Sequence, residues 1–200
     1  MNHSMSTRRN SNARGRATAR SIEAAAVRLA SEKGVAALTV LQICAEAGVA
    51  QRTFFNHFET KEDALLGKDL PQIHEQRTRK YLSSQEIGVL SGALELVELP
   101  EDGESSPELL RARLSLLSQS PALAERQASR LMPLADEVRT IIRLKLETLD
   151  PKRSPGELDA SAGLITQMAS SLMLSRARPT EGNSAPASLR DLTWIWDRLL

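Results

Sequence analysis

The 200-residue chain holds one cysteine, three histidines and few aromatic side chains, 3% of the total. One cysteine excludes a disulfide within the chain, so packing has to hold the fold. The histidines leave little for metal chemistry. A di-metal carboxylate site in a helical bundle uses Glu-x-x-His pairs, and none of His3, His57 and His74 has a Glu three residues before it. Neither a Gly-rich phosphate loop nor a Gly-x-Ser-x-Gly elbow appears. These absences argue against an enzyme, and no cofactor is expected. No run approaches the roughly 20 consecutive apolar residues of a membrane span, and the Arg-rich start does not lead into a signal-peptide core. A cytoplasmic protein is expected. Strand-like alternation is also missing, which predicts an all-α fold.

Acids are absent from the first 20 residues, where Arg8, Arg9, Arg14, Arg16 and Arg20 occur. Residues 1–60 hold eight Lys/Arg against four Asp/Glu, a formal +4, whereas residues 61–200 hold eighteen against twenty-one, a formal −3. The overall charge of +1 conceals a basic end suited to a polyanion. Residues 1–15, rich in Ser, Asn and Arg, read as a disordered basic arm.

Within this basic end, TVLQICAEAGVAQRTFFNHF (39–58) has the pattern of two short helices joined by a tight turn. Val40, Ile43, Cys44 and Ala47 recur at i, i+3, i+4 and i+7, the apolar stripe of a helix packed on one side. Thr39 is placed to cap it, and Gly48 to turn the chain through left-handed backbone angles. The second helix runs from about Ala50 to His57. At 100° per residue from Phe54, Phe58 falls at about 40°, Arg52 at about 160° and Asn56 at about 200°. The two rings share a buried face, and Arg52 and Asn56 point outward. Arg pairs bidentately with guanine and Asn with adenine in the major groove. Gln51 and Thr53 lie near the helix start, the end that enters the groove. His57 and Lys61 lie beyond it, placed for phosphate.

Upstream, RATARSIEAAAVRLASEKG reads as a long helix with Ile22, Ala25, Ala26, Leu29 and Ala30 on its apolar face and Gly34 as its stop. Downstream, Thr60 and Asp63 form a capping arrangement ahead of Ala64, Leu65 and Leu66. In this order the residues resemble the DNA-binding domain of the tetracycline-repressor (TetR) family of bacterial regulators. The match extends from about Arg16 to Glu75 and rests on Val49, Thr53, Phe54, Phe55, His57, Phe58, Lys61 and Glu62. The resemblance implies that Gln51, Arg52, Thr53 and Asn56 face an operator. It puts Phe55, His57 and Lys61 near the sugar-phosphate chain. Arg16 and Thr39 complete the expected DNA contacts. Two positions depart from the family pattern: Phe55 lacks the phenolic hydroxyl of many members, and Ala50 stands where Ser often caps the recognition helix.

These readings divide the chain into the basic arm (1–15), a helix-turn-helix DNA-binding domain (16–75) and a larger helical domain (76–200) for effector binding and dimerisation. Helical segments are expected at 61–82, 85–98, 107–119, 121–149, 155–177 and 187–200, with Pro71 and Pro133 kinking or interrupting two of them. LPEDGESSP, SQSP, LDPKRSPG and RPTEGNSAP read as breaks. Ile87, Leu90, Leu94, Leu114, Leu117, Met132, Leu134, Met168 and Leu172 are candidate walls of an effector pocket, suited to a hydrophobic or amphipathic small molecule. Leu164, Met168, Leu172 and Ser175, with small Ala162, Gly163, Ala169 and Ser170 beside them, form one candidate face for a homodimer. Leu189, Leu192, Trp196 and Leu199 form another, while Trp194 and Trp196 alternatively close a monomer core. The expected function is a ligand-responsive repressor that binds a palindromic operator on double-stranded DNA as a dimer and is released by a small molecule. A helical adaptor that binds protein is the alternative. Cys44 reads as a buried structural thiol.

Overall fold

The computed structural model describes residues 3–98, 107–177 and 189. Its described residues form nine helices and one short β-ribbon. The helices are α1 (His3–Lys33), α2 (Val40–Ala47), α3 (Gln51–His57), α4 (Lys61–Leu66), α5 (Glu75–Ser83), α6 (Val89–Ala93), α7 (Pro107–Gln119), α8 (Pro121–Leu149) and α9 (Pro155–Ala177). The ribbon pairs β1 (Gln72–Ile73) with β2 (Val97–Glu98) antiparallel, Gln72 opposite Glu98 and Ile73 opposite Val97. The all-α class is thus correct, and the expected helices 107–119, 121–149 and 155–177 are present.

Three local expectations are corrected. The arm expected to be disordered over residues 1–15 is helical from His3, continuous with α1. Once the apolar stripe further along α1 is docked, each added residue gains a hydrogen bond without a new nucleation cost. The expected helix 61–82 is divided into α4, which stops at Gly67 (φ 82), then β1 and α5, with Pro71 in the break, and the expected helix 85–98 holds α6 followed by β2. Pro133 neither stops nor divides α8, which runs through it. The breaks LPEDGESSP and RPTEGNSAP lie, but for Pro107, outside the described residues, as do Trp194 and, apart from Leu189, the segment 187–200.

The chain forms two units, Met1–Asp69 with Gly103–Ala128, and Leu70–Asp102 with Ser129–Leu200. The division falls elsewhere than the boundary read at residue 75, because residues 103–128 belong with the first unit. Its core gathers Ile22, Ala26, Val27, Leu29 and Ala30 of α1, Ile43 and Cys44 of α2, Phe54 of α3, Ala64, Leu65 and Leu66 of α4, and Leu116 and Leu123 of α7 and α8. Burial pushes the Cys44 thiol up from its ordinary value, as a structural thiol requires.

A largely enclosed ion pair, with Glu23 buried and Arg113 half-buried, fastens α7 into this unit. Glu23 Oε2 accepts from Arg113 Nη2 at 2.9 Å, and its Oε1 accepts from the Lys68 amide at 2.8 Å. Arg113 Nε donates to the Leu65 carbonyl at 2.7 Å. Gly67 passes so close that a Cβ there would lie 2.9 Å from Arg113 Nη2. A second, bidentate pair joins Arg126 of α8 to Asp63 of α4 at 2.9 and 2.8 Å.

The second unit packs Tyr81 of α5, Ala93 of α6, Leu94 and Leu96 between α6 and β2, Val138, Ile141 and Ile142 of α8, and Ala162, Ala169 and Leu172 of α9. The Tyr81 hydroxyl donates to the Val89 carbonyl at 3.1 Å. Gly92 sits against the ring, where a Cβ would clash with Tyr81. Lys145 is fully buried, donates to the Ser84 carbonyl at the end of α5, and holds its ammonium 5.5 Å from the Tyr81 ring centroid. Ser154 and Glu157 cap α9 reciprocally, and hydrogen bonds from Ser154 hold the Glu157 carboxyl below its ordinary value.

Two stability outcomes follow. Arg113→Ala leaves the Glu23 carboxylate enclosed without its partner and is expected to lower unfolding free energy by about 3–5 kcal/mol, read by urea denaturation, with Glu23→Gln in the same chain recovering part of it. Desolvation pushes the Tyr81 hydroxyl up to about 12 from 10.0. The folded state therefore holds this proton more tightly than the unfolded chain, and the contribution is complete below pH 10 and lost as pH rises toward 12. Tyr81→Phe is expected to remove that alkaline component, measured as the wild-type minus variant difference in denaturation midpoint between pH 9 and 12.

Candidate nucleic-acid interface

The local geometry of residues 39–58 follows from capping and from two rings. Thr39 is the N-cap of α2: its hydroxyl accepts from the Gln42 amide at 3.3 Å, and Gln42 Oε1 accepts from the Thr39 amide at 3.0 Å and from its hydroxyl at 3.1 Å. This reciprocal box accounts for two amides that the helix start leaves without partners. Gly48 takes φ 65 and ψ 33, the left-handed turn between the helices, and the Val49 amide returns to the Cys44 carbonyl at 3.0 Å. Arg28 of α1 bonds both Glu32 at 2.9 Å and Glu46 of α2, which sets the two helices against each other.

At seven residues, α3 is too short to persist alone. Ala50 is its N-cap and provides no side-chain hydrogen bond. Burial fixes it instead. Phe54 is fully buried, with Phe58 beside it at 5.8 Å between ring centroids. On the other side of the helix Gln51, Arg52, Phe55 and Asn56 are exposed, while Thr53 and His57 are half-buried. The rotation read from the sequence is the one observed, and Arg52 and Asn56 project into open solvent within this unit.

The residues expected at phosphate divide. Arg16 is exposed on α1. His57 turns Nδ1 inward, enclosed and without a partner, which leaves Nε2 as the ring's remaining hydrogen-bonding atom. Lys61 is turned into the unit: its ammonium donates to the Val35 carbonyl at 3.0 Å and the Leu38 carbonyl at 2.8 Å. Two of its three N–H groups hold the loop between α1 and α2, a tie within the protein that its position in the sequence does not announce. The Thr39 hydroxyl has one proton to donate, and the capping box uses it. Gln42 and the Arg28–Glu46 pair were missed in the sequence. The first had a signal in the Thr-x-x-Gln spacing; the second had none, because its partners are eighteen positions apart.

Residues 22–66 match the family model of the bacterial regulatory proteins of the tetR family. Residues 22–66 thus form a DNA-binding domain of the TetR type. This family is one of DNA-binding transcriptional regulators rather than enzymes. The matched span carries α2, the Gly48 turn and α3, so the TetR helix-turn-helix is the interface described above. Comparison with curated proteins gave no match. No helix among the described residues is long and apolar enough to cross a membrane.

Because Lys61 binds carbonyls of its own chain, Lys61→Met is expected to cost about 1.5–3 kcal/mol of stability while leaving the salt dependence of DNA binding unchanged below the unfolding transition. Parallel denaturation and fluorescence-anisotropy titrations at several salt concentrations check both halves.

Proposed function

We propose that the chain is a TetR-family regulator, a ligand-responsive repressor that binds an inverted-repeat operator on double-stranded DNA as a homodimer, or as a pair of dimers, and is released by a hydrophobic or amphipathic small molecule. The observation that carries the DNA-reading part is the exposed row of Gln51, Arg52 and Asn56 on a helix whose opposite face is anchored by Phe54. Arg52 and Asn56 have the donor and acceptor geometry to read guanine and adenine edges. Thr53 borders them, and Arg16 and His57 supply backbone contacts. One such helix reads too few base pairs to be selective in a genome. A second copy related by a twofold axis doubles the reading.

For pairing, the support lies on α9. Leu164 and Leu174 are 57% and 52% exposed, and at ten residues apart they lie about 80° from each other around the helix axis. Leu172 is instead packed in the second core, as are Ala162 and Ala169, so these leave the candidate dimer face. Met168 and Ser175 are half-buried. Leu189 packs against the second core; Leu192, Trp196 and Leu199 lie outside the described residues.

The nine candidate pocket residues fall in both units. Leu114 and Leu117 belong to the first unit, and Met132 is 61% exposed. Ile87, Leu90, Leu94, Leu134 and Leu172 pack together around the second core, and these, with Met168 in the same unit, are the side chains retained for effector binding. An effector releases the operator to the extent that it binds the released form better than the DNA-bound form.

The adaptor reading is separated by salt. Binding through several phosphates falls steeply as salt rises, with a log–log slope of about −0.9 per neutralised phosphate, which an apolar protein contact does not show. Selection from a random duplex pool is expected to return a palindrome, with Arg52→Ala relaxing base choice at one position per half-site by about 1–3 kcal/mol. A single unrepeated half-site defeats the dimer reading. Leu164→Glu with Leu174→Glu is expected to yield monomers in analytical ultracentrifugation and to weaken operator binding.

A further inference from the structure

One large side chain on the reading helix has no hydrogen bond to offer. Phe55 is 56% exposed. By rotation from Phe54 it falls at about 100°, between Gln51 at about 60° and Arg52 and Asn56 at about 160° and 200°. It therefore stands inside the polar row, not at its border. Its ring meets the Phe54 ring edge-on, with centroids 5.4 Å apart and planes at 84°. Since Phe54 is immobilised in the core, this contact holds the Phe55 ring in place.

An exposed aromatic ring among base-reading side chains needs an apolar counterpart. Among the four unmodified bases, thymine alone presents a methyl group, at C5, in the major groove, beside edges made otherwise of hydrogen-bonding groups and ring C–H. The phosphate chain offers charged oxygens, which a ring without a hydroxyl cannot bond. The resemblance placed this residue beside the sugar-phosphate chain; its position in the row favours the base edges.

We propose that Phe55 is a specificity-determining residue that packs on the C5 methyl of a thymine in each half-site. The proposal rests on the DNA-reading assignment of α3 and adds a base preference that the hydrogen-bonding residues do not supply. Arg52 and Asn56 select purines by hydrogen bonds; Phe55 selects a pyrimidine by burying its methyl group.

The test uses the full chain and duplexes enriched from a random pool. Each thymine is replaced in turn by deoxyuridine, which removes the methyl and keeps every hydrogen-bonding group. One thymine per half-site is expected to show a loss of about fourfold, and roughly sixteenfold when both half-sites are changed, from the burial of one methyl each. Phe55→Ala, whose fold is checked by circular dichroism, is expected to bind the thymine and deoxyuridine duplexes equally. Phe55→Leu keeps an apolar contact and is expected to retain the preference. Repeating the selection with a pool methylated at cytosine C5 separates the sources of the methyl: thymine retained at that position assigns the base, and 5-methylcytosine in its place assigns the methyl group alone. Enriched duplexes in which no thymine is sensitive to deoxyuridine overturn the proposal and leave the DNA-reading assignment standing. So does a penalty that persists undiminished in Phe55→Ala. A pool from which no duplex is enriched overturns the DNA-reading assignment itself, and this inference with it.

Discussion

The burial of Phe54 is the constraint on which the interface depends. A seven-residue helix with an alanine at its N-cap has neither the length nor the capping to hold itself. Placing one ring fully inside the first core fixes both its existence and its rotation about its own axis. Every other assignment on α3 is a consequence of that rotation. Arg52 and Asn56 face outward because Phe54 faces inward, and Phe55 is steadied because its ring leans on the one beside it. The energies agree with this order. Losing a buried Phe costs about 3–5 kcal/mol, more than the roughly 1–3 kcal/mol of one base-reading contact.

A second layer of constraint surrounds that core and is polar. Glu23 collects an amide from Lys68 and a guanidinium from Arg113, which in turn takes the Leu65 carbonyl. A buried ion pair adds little net stability over an apolar replacement, but half of one is costly. The arrangement therefore specifies which helix lies against α1 more than it strengthens the contact. It accounts for the membership of α7 in the first unit, which hydrophobic patterning alone does not reveal. Asp63 and Arg126 tie α4 to the start of α8 through a more exposed pair.

The sequence was legible wherever structure is local. The Thr39 cap, the Gly48 turn, the apolar stripes of α1 and α2 and the helices over 107–119, 121–149 and 155–177 are all written in spacings of a few residues. So was the outward face of α3, because it needs only the helical repeat and two aromatic anchors. What could not be read depends on contacts distant in the chain. Glu23 and Arg113 are ninety positions apart, and nothing in either neighbourhood announces the other. Lys61 illustrates the same limit: its position after the recognition helix suits a phosphate, yet carbonyls from residues 35 and 38 take its ammonium. The pocket residues scattered for a related reason. An apolar stripe says that a helix face is covered, and Leu117 and Leu172 are covered in different units.

The observed placements also change how the interface divides its work. With the Lys61 ammonium and the Thr39 hydroxyl proton committed to the protein's own backbone and cap, fewer groups near α3 remain for phosphate, and the exposed Arg16 on α1 gains weight among them. Phosphate contacts position a protein on DNA without selecting sequence, whereas groove contacts select. A surface that keeps Gln51, Arg52, Phe55 and Asn56 exposed while withdrawing a lysine is weighted toward selection. The basic character of the N-terminal segment then has a distinct part to play. In the proposed reading it supplies the sequence-independent attraction from α1, a separate helix, so that α3 is left to discriminate among bases.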